Sequence, residues 1–330
     1  EPFFACEVTT ESGEKYTSTD FKCYLLNDRV TKVQKYSYQR GFAESYKMKN
    51  DRTMLYLGRG DYPLLEVREV ELPKLLNSFV DIPSYDEDKS YTEIENGSIS
   101  VDISRPVWRD RAHTMAGREL GGYRIEEWED FVSDEATQFI YHKGATSGKY
   151  LYNTYDFGRI LTGFTTLTIK AKNKGIVYVL GGEILTSDEY NKDYVKFERD
   201  ATSNIFKWEI KEAGEYRVST FEPYAFRYAT VAYTSGIECE LSMVRLENPN
   251  VNRFKFSCQD KRAEKIMEAA RATLAQNAVD LLTDCPSRER AGWLSDSYFS
   301  SVAEKLFTGE NQAEEAFLDN YRRAHTDRLP

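Results

Sequence analysis

The apolar residues of this chain change their spacing once, near Asn250. Before that point, aromatic and β-branched residues alternate with polar ones in short runs broken by Gly, Pro, Asn and Asp. Beyond it, apolar and small residues return every three or four positions. A period of two lines one face of a strand and a period near 3.6 lines one face of a helix, so a β-rich front must be joined to a helical end. The 330 residues leave room for two or three domains.

The clearest hairpin runs from Phe164–Ala171 through the Asn173-Lys174-Gly175 turn into Ile176–Leu180. Further strands are predicted at Ile205–Ile210, Tyr216–Phe221, Phe226–Tyr233 and Cys239–Val244, and their spacing predicts a β-sandwich over residues 151–250. Residues 1–150 read as one or more β-rich modules, with strand candidates at Phe21–Leu25, Met54–Leu57, Leu64–Val67 and Ile99–Ile103. The polar stretch Asp81–Ser98, with Pro83 and Asn96-Gly97, reads as a long loop or interdomain connection. The segment Arg105–Phe131 gives no assignment.

Asp260 is a fitting N-cap for a first helix whose stripe is Ala263, Ile266, Met267, Ala270, Leu274, Ala278 and Leu281. A second helix carries Tyr298, Phe299, Val302 and Leu306 and stops at Gly309; a third starts near Asn311 with Ala313, Ala316, Phe317, Tyr321 and Ala324. Three amphipathic helices after a β region read as the beginning of a helical domain over residues 251–330, with apolar faces that call for further partners.

The formal charge of −10 repels phosphate backbones and argues against a nucleic-acid partner. No apolar run approaches the roughly 18 residues of a membrane-spanning helix. Five scattered cysteines without a CxxC pair, and three scattered histidines, give no metal site, and no cofactor is implied.

Chemistry concentrates in Asp284-Cys-Pro-Ser-Arg-Glu-Arg-Ala-Gly-Trp-Leu-Ser-Asp296, between the first two helices. Pro286 and Gly292 keep this stretch from being plain helix, while Asp284, Arg288, Glu289, Arg290 and Asp296 gather around Trp293. From composition alone it reads first as a loop tied by Arg–carboxylate pairs. Glycoside hydrolysis uses the same residue types: one carboxylic acid protonates the leaving oxygen, a second carboxylate activates water or attacks, and an aromatic ring stacks on the sugar. Cys285 reads as a small packing residue, since no His stands near it in sequence.

The run resembles the Asp-Cys-Pro-x-Arg-(Asp)-Glu-Arg-x-Gly-Trp-x-Gly-Asp signature of the α-L-rhamnosidase-like glycoside hydrolases of family 78. It lacks the optional Asp before Glu289 and has Ser295 where Gly is usual. Upstream, Tyr155-Asp-Phe-Gly158, Leu161-Thr-Gly163, Gly182-Glu183 and Phe221-Glu-Pro-Tyr-Ala-Phe-Arg-Tyr228 are similar to the β-sandwich that precedes the catalytic barrel in that family.

The resemblance implies N-terminal β-sandwich modules followed by the first helices of an all-α (α/α)6 toroid, a six-hairpin glycosidase barrel. It implies an inverting hydrolase acting on terminal α-L-rhamnose, or a related sugar, of poly- or oligosaccharides. Glu289 matches the general acid, Asp284 and Asp296 match carboxylates that bind sugar hydroxyls, Arg288 matches a basic residue of the pocket, and Trp293 matches its aromatic wall. No position matches the base, a Glu expected beyond residue 330, so these residues alone are expected to be inactive. Polysaccharide as substrate implies a periplasmic, cell-surface or secreted location. The competing reading is a non-catalytic carbohydrate-binding β-sandwich protein with a helical stub.

Overall fold

In the computed structural model of the chain the described residues are 7–20, 23–24, 27–37, 40–49, 54–55, 89–105, 128–199, 202–279 and 281–323. Nine strands form one sheet: β1 (Glu44–Met48), β2 (Thr92–Val101), β3 (Phe139–Lys143), β4 (Tyr150–Ala171), β5 (Gly175–Gly182), β6 (Ile205–Ile210), β7 (Gly214–Ser219), β8 (Tyr224–Tyr233) and β9 (Ile237–Arg245). Their order is β1-β6-β5-β8-β4-β2-β3, with β7 and β9 also paired to β4. All pairs are antiparallel except β1 with β6.

The 22-residue β4 organises the fold. Its first part pairs with β2 and β8, and its last part runs between β7 and β9. Between the two, Gly158 adopts φ 74°, and the β4–β8 register shifts between Phe226 and Tyr228. Arg227, at that shift, forks onto Asp156 with two contacts of 2.8 Å, and the Gly158 N–H donates to the same carboxylate. The Arg227 hydrogen bond holds the Asp156 carboxyl below its usual range, so the pair stays ionised at neutral pH.

Alternation then decides which core each residue enters. Val177 and Val179 join Phe206, Trp208, Leu167, Ile169, Val218, Leu241 and Met243 in one cluster. Tyr178 and Leu180 point the other way, against Ile99, Phe139, Tyr150 and Tyr152. β5 is therefore buried on both faces, which is why its sequence is nearly continuously apolar.

The predicted strands of the sandwich are present with ends moved by at most two residues, except that Phe164–Ala171 is the last part of the much longer β4, which starts at Tyr150. The sheet also takes in β1, β2 and β3 from before residue 150. The loop reading of Asp81–Ser98 is corrected for Thr92–Ser98, which lie within β2. Asn96-Gly97 is mid-strand rather than a turn: a Cβ at Gly97 would lie 2.3 Å from the His142 carbonyl oxygen, so glycine serves close approach there. Cys23–Tyr24 and Met54–Leu55 pair as a short ribbon, while Leu64–Val67 and most of Arg105–Phe131 lie outside the described residues.

Helix α1 (Lys261–Asn277) is capped by Asp260, whose carboxylate accepts from the Arg262 N–H. Its buried residues, Leu274, Ala275 and Gln276, lie at the C-terminal end, and Met267 packs partly against the same cluster. Gln276 accepts from Thr162 Oγ1 and donates to the Ile160 carbonyl, and Asn248 donates to the Ala278 carbonyl at 2.7 Å, tying the helix end to the sheet. The outer half of the predicted stripe is open, with Ile266 and Ala270 exposed.

In α2 (Leu294–Thr308), which ends at Gly309 with φ 78°, the predicted stripe faces solvent: Tyr298 is 67% and Phe299 74% exposed, and Val302 and Leu306 are exposed too. The face turned inward carries Ser297, Ser301, Glu304 and Phe307. Glu304 accepts from the Ala313 and Glu314 N–H groups at the start of α3 (Gln312–Arg323), and burial pushes its carboxyl up. Ala313 and Phe317 of α3 are buried as expected.

Candidate active site

The loop joining α1 to α2 is closed on itself. The Asp284 N–H donates to the Ala291 carbonyl (3.0 Å) and the Ala291 N–H returns to Asp284 Oδ1 (2.9 Å), so this carboxylate fixes both ends of the loop. Inside it, the Glu289 N–H donates to Cys285 Sγ at 3.3 Å, and burial raises the thiol above its usual range. Arg290 sits in the left-handed region at φ 43°, a conformation that costs a residue with a Cβ about 1 to 2 kcal/mol.

The β domain holds this conformation in place. Ser37 Oγ donates to the Arg288 carbonyl (2.8 Å), Arg40 Nη1 to the Ser287 carbonyl (2.9 Å), and Arg290 Nη1 to the Pro223 carbonyl (3.2 Å). Ser287 Oγ donates to Glu183 Oε1 at 3.0 Å. Arg40 is buried, lies over the rings of Tyr36 and Tyr224, and uses Nη2 on both Glu222 Oε2 and the Pro223 carbonyl. On the helical side, Tyr321 Oη donates to the Gly292 carbonyl at 2.6 Å. A Cβ on Gly292 would fall 2.5 Å from the Phe317 ring, which is why glycine is needed at that step.

Arg40→Ala should therefore lower stability by about 2 kcal/mol, the scale for breaking a partly buried ion pair with its hydrogen bonds. It should also release the loop, read as faster amide exchange at Glu289 and Ala291, whose N–H groups are bonded inside it. Unchanged exchange there would show that the staple does not hold the loop.

On this frame three of the five expected site residues meet. Glu289 Oε1 accepts from Arg288 Nη2 at 2.6 Å and Oε2 accepts from Trp293 Nε1 at 2.8 Å. The Glu289 side chain is 10% exposed, whereas Trp293 is 45% exposed and offers its ring to solvent. A nearly buried carboxylate beside an open aromatic face can handle a proton next to a stacked ring. Asp284 serves the loop closure, and Asp296 lies exposed in the first turn of α2, accepting from Ser295 Oγ at 3.1 Å. Among the described residues no group of His, Cys, Asp and Glu is arranged to hold a metal ion, and no helix is long and apolar enough to cross a membrane.

Sequence reasoning marked Gly182-Glu183 and Phe221–Tyr228, and these contact the loop through Glu183 and Pro223. It missed Ser37 and Arg40, which carry no motif and lie about 250 positions from their partners, at separations of 251 and 247.

Comparison with known proteins gives the same relation. Residues 252–328 match the family model described as the bacterial α-L-rhamnosidase six-hairpin glycosidase domain. An α-L-rhamnosidase of Formosa agariphila (strain DSM 15362) is 24% identical over 153 residues, covering 43% of this chain and 16% of that protein. The solved family-78 rhamnosidase of Bacillus sp. GL1 superposes with a TM-score of 0.45 at 21% identity, over 52% of this chain and 18% of its own. The α-L-rhamnosidase of Dictyoglumus thermophilum gives 0.42 at 22% identity, over 53% and 20%. The chain is thus similar to family-78 α-L-rhamnosidases over part of their length, as a β-rich sandwich domain followed by three helices matching the start of the six-hairpin domain.

Proposed function

We propose that this chain carries the acid side of an inverting glycoside hydrolase site that removes terminal α-L-rhamnose, or a closely related sugar, from poly- or oligosaccharides. The observation that supports it is the Arg288–Glu289–Trp293 cluster, held by the β domain inside a segment that matches a glycosidase domain. In this reading Trp293 stacks on the sugar and Glu289 delivers its proton to the departing glycosidic oxygen. Arg288 and Trp293 both ask Glu289 to accept, so proton delivery belongs to a bound state in which Arg288 has turned to a sugar hydroxyl. Asp296, exposed beside Trp293, is a second hydroxyl-binding group, and Asp284 acts by shaping the loop.

Inversion requires a second carboxylate about 6.5 to 9.5 Å from the acid to activate water, and the activity is proposed for a polypeptide with the complete six-hairpin domain. A polymeric substrate suits a periplasmic, cell-surface or secreted protein. The test is hydrolysis of a panel of aryl glycosides with proton NMR of the first product. Preference for the α-L-rhamnoside with β-L-rhamnose appearing first is expected. A retained anomer, or preference for an unrelated sugar, would overturn the assignment.

A further inference from the structure

A cleft of about 340 Å³ lies between the sheet and the 284–288 stretch of the loop, within the size range of small-molecule sites. Glu289, Trp293 and Asp296 are not among the residues that line it. Three of its lining side chains are more than nine-tenths buried and carry a polar atom without a hydrogen-bond partner: Tyr36 Oη, Thr202 Oγ1 and Asn204 Oδ1. Buried polar atoms are nearly always satisfied, so three on one cleft ask for an occupant that supplies the missing bonds.

The chemistry of that occupant follows from the wall. Asn204 Nδ2 already donates to the Ala225 carbonyl, which leaves Oδ1 as an acceptor in need of a donor. The Tyr36 and Thr202 hydroxyls can each give or take a bond. Buried Phe197 supplies an apolar side. At the edge, Arg199 pairs with Glu183 at 3.1 Å and Arg288 with Glu289 at 2.6 Å, while Lys196 is exposed at the rim. The three unpartnered atoms are all uncharged, and a neutral ring with several hydroxyls meets all three and the apolar side at once.

We propose that this cleft is a second carbohydrate subsite, binding a neutral sugar ring independently of the Glu289–Trp293 cluster. It rests on the carbohydrate reading above only for the class of ligand. The test uses the full 330-residue chain and titrates L-rhamnose, methyl α-L-rhamnoside and D-galactose by calorimetry and saturation-transfer NMR. Tyr36→Phe and Thr202→Val remove one hydroxyl each with little change of shape, and because those hydroxyls lack partners the melting temperature should hold or rise. Each should weaken binding of at least one of the sugars in the cleft about tenfold, and the pair should abolish it there, while Trp293→Ala, which removes only stacking at the proposed catalytic cluster, leaves binding in the cleft intact.

Binding lost in Trp293→Ala and kept in the Tyr36/Thr202 pair would overturn the second subsite while supporting the proposed catalytic cluster. No saturable binding of any of the sugars at concentrations up to about 50 mM, far above the millimolar range of weak sites, would mean that only water fills the cleft and would overturn it as well.

Discussion

Glu289→Gln, made in a protein carrying the complete six-hairpin domain, is expected to lower kcat/KM at least about a hundredfold on a substrate with a poor leaving group. Gln keeps the size of the side chain and an oxygen to accept from Trp293 Nε1. It cannot deliver a proton, and its amide group meets the Arg288 guanidinium donor to donor. The loss should fall on kcat with little change in KM, because a proton moved only in the transition state contributes little to ground-state binding. An unchanged thermal melt would exclude unfolding as its cause. Activity within a few fold of the parent would remove Glu289 from the acid role.

The largest effect on stability should come from Glu44→Ala. Glu44 is wholly buried in β1 and its carboxylate accepts from the Phe221 and Glu222 N–H groups and from the hydroxyls of Tyr46 (2.6 Å) and Tyr224 (2.9 Å). Truncation leaves four donors facing a void, and the expected cost is about 4 kcal/mol in urea or thermal unfolding. The damage should reach the loop. Phe221–Tyr224 contains the Pro223 carbonyl that holds both Arg40 and Arg290, so the strained Arg290 backbone loses part of its support. Glu44→Gln should recover only part of the loss, since its amide would face donors. A cost below about 1 kcal/mol for Glu44→Ala would mean that solvent or neighbours satisfy those groups instead.

What could be read from the sequence was what is local or periodic. The 13 positions Asp284–Asp296 lie side by side, so the meeting of Arg288, Glu289 and Trp293 follows from one short loop. The strands around Ile205–Ile210 and Tyr224–Tyr233, and the ends of α1 and α2 at Asp260 and Gly309, were legible because alternation, capping and left-handed glycine are local effects.

What escaped depends on the fold. Thr92–Ser98 looked like a loop because its residues are polar and include Gly97, yet Gly97 is there because neighbouring backbone comes too close for a Cβ. The α2 stripe was legible as a stripe, but its orientation is set by Glu304 and Phe307 packing inward, which period alone does not determine. Glu44, Ser37 and Arg40 hold the site from far away in sequence, and each looks there like an ordinary polar residue of a β region.

The central claim, that Glu289 protonates the departing oxygen, is tested most directly by comparing leaving groups. A dinitrophenyl α-L-rhamnoside departs with little protonation, whereas an alkyl or glycosyl aglycone needs it. The ratio of parent to Glu289→Gln activity should be near one for the first and about a hundredfold or more for the second. An equal loss on both substrates would contradict the account and assign Glu289 to sugar binding or to the architecture of the loop.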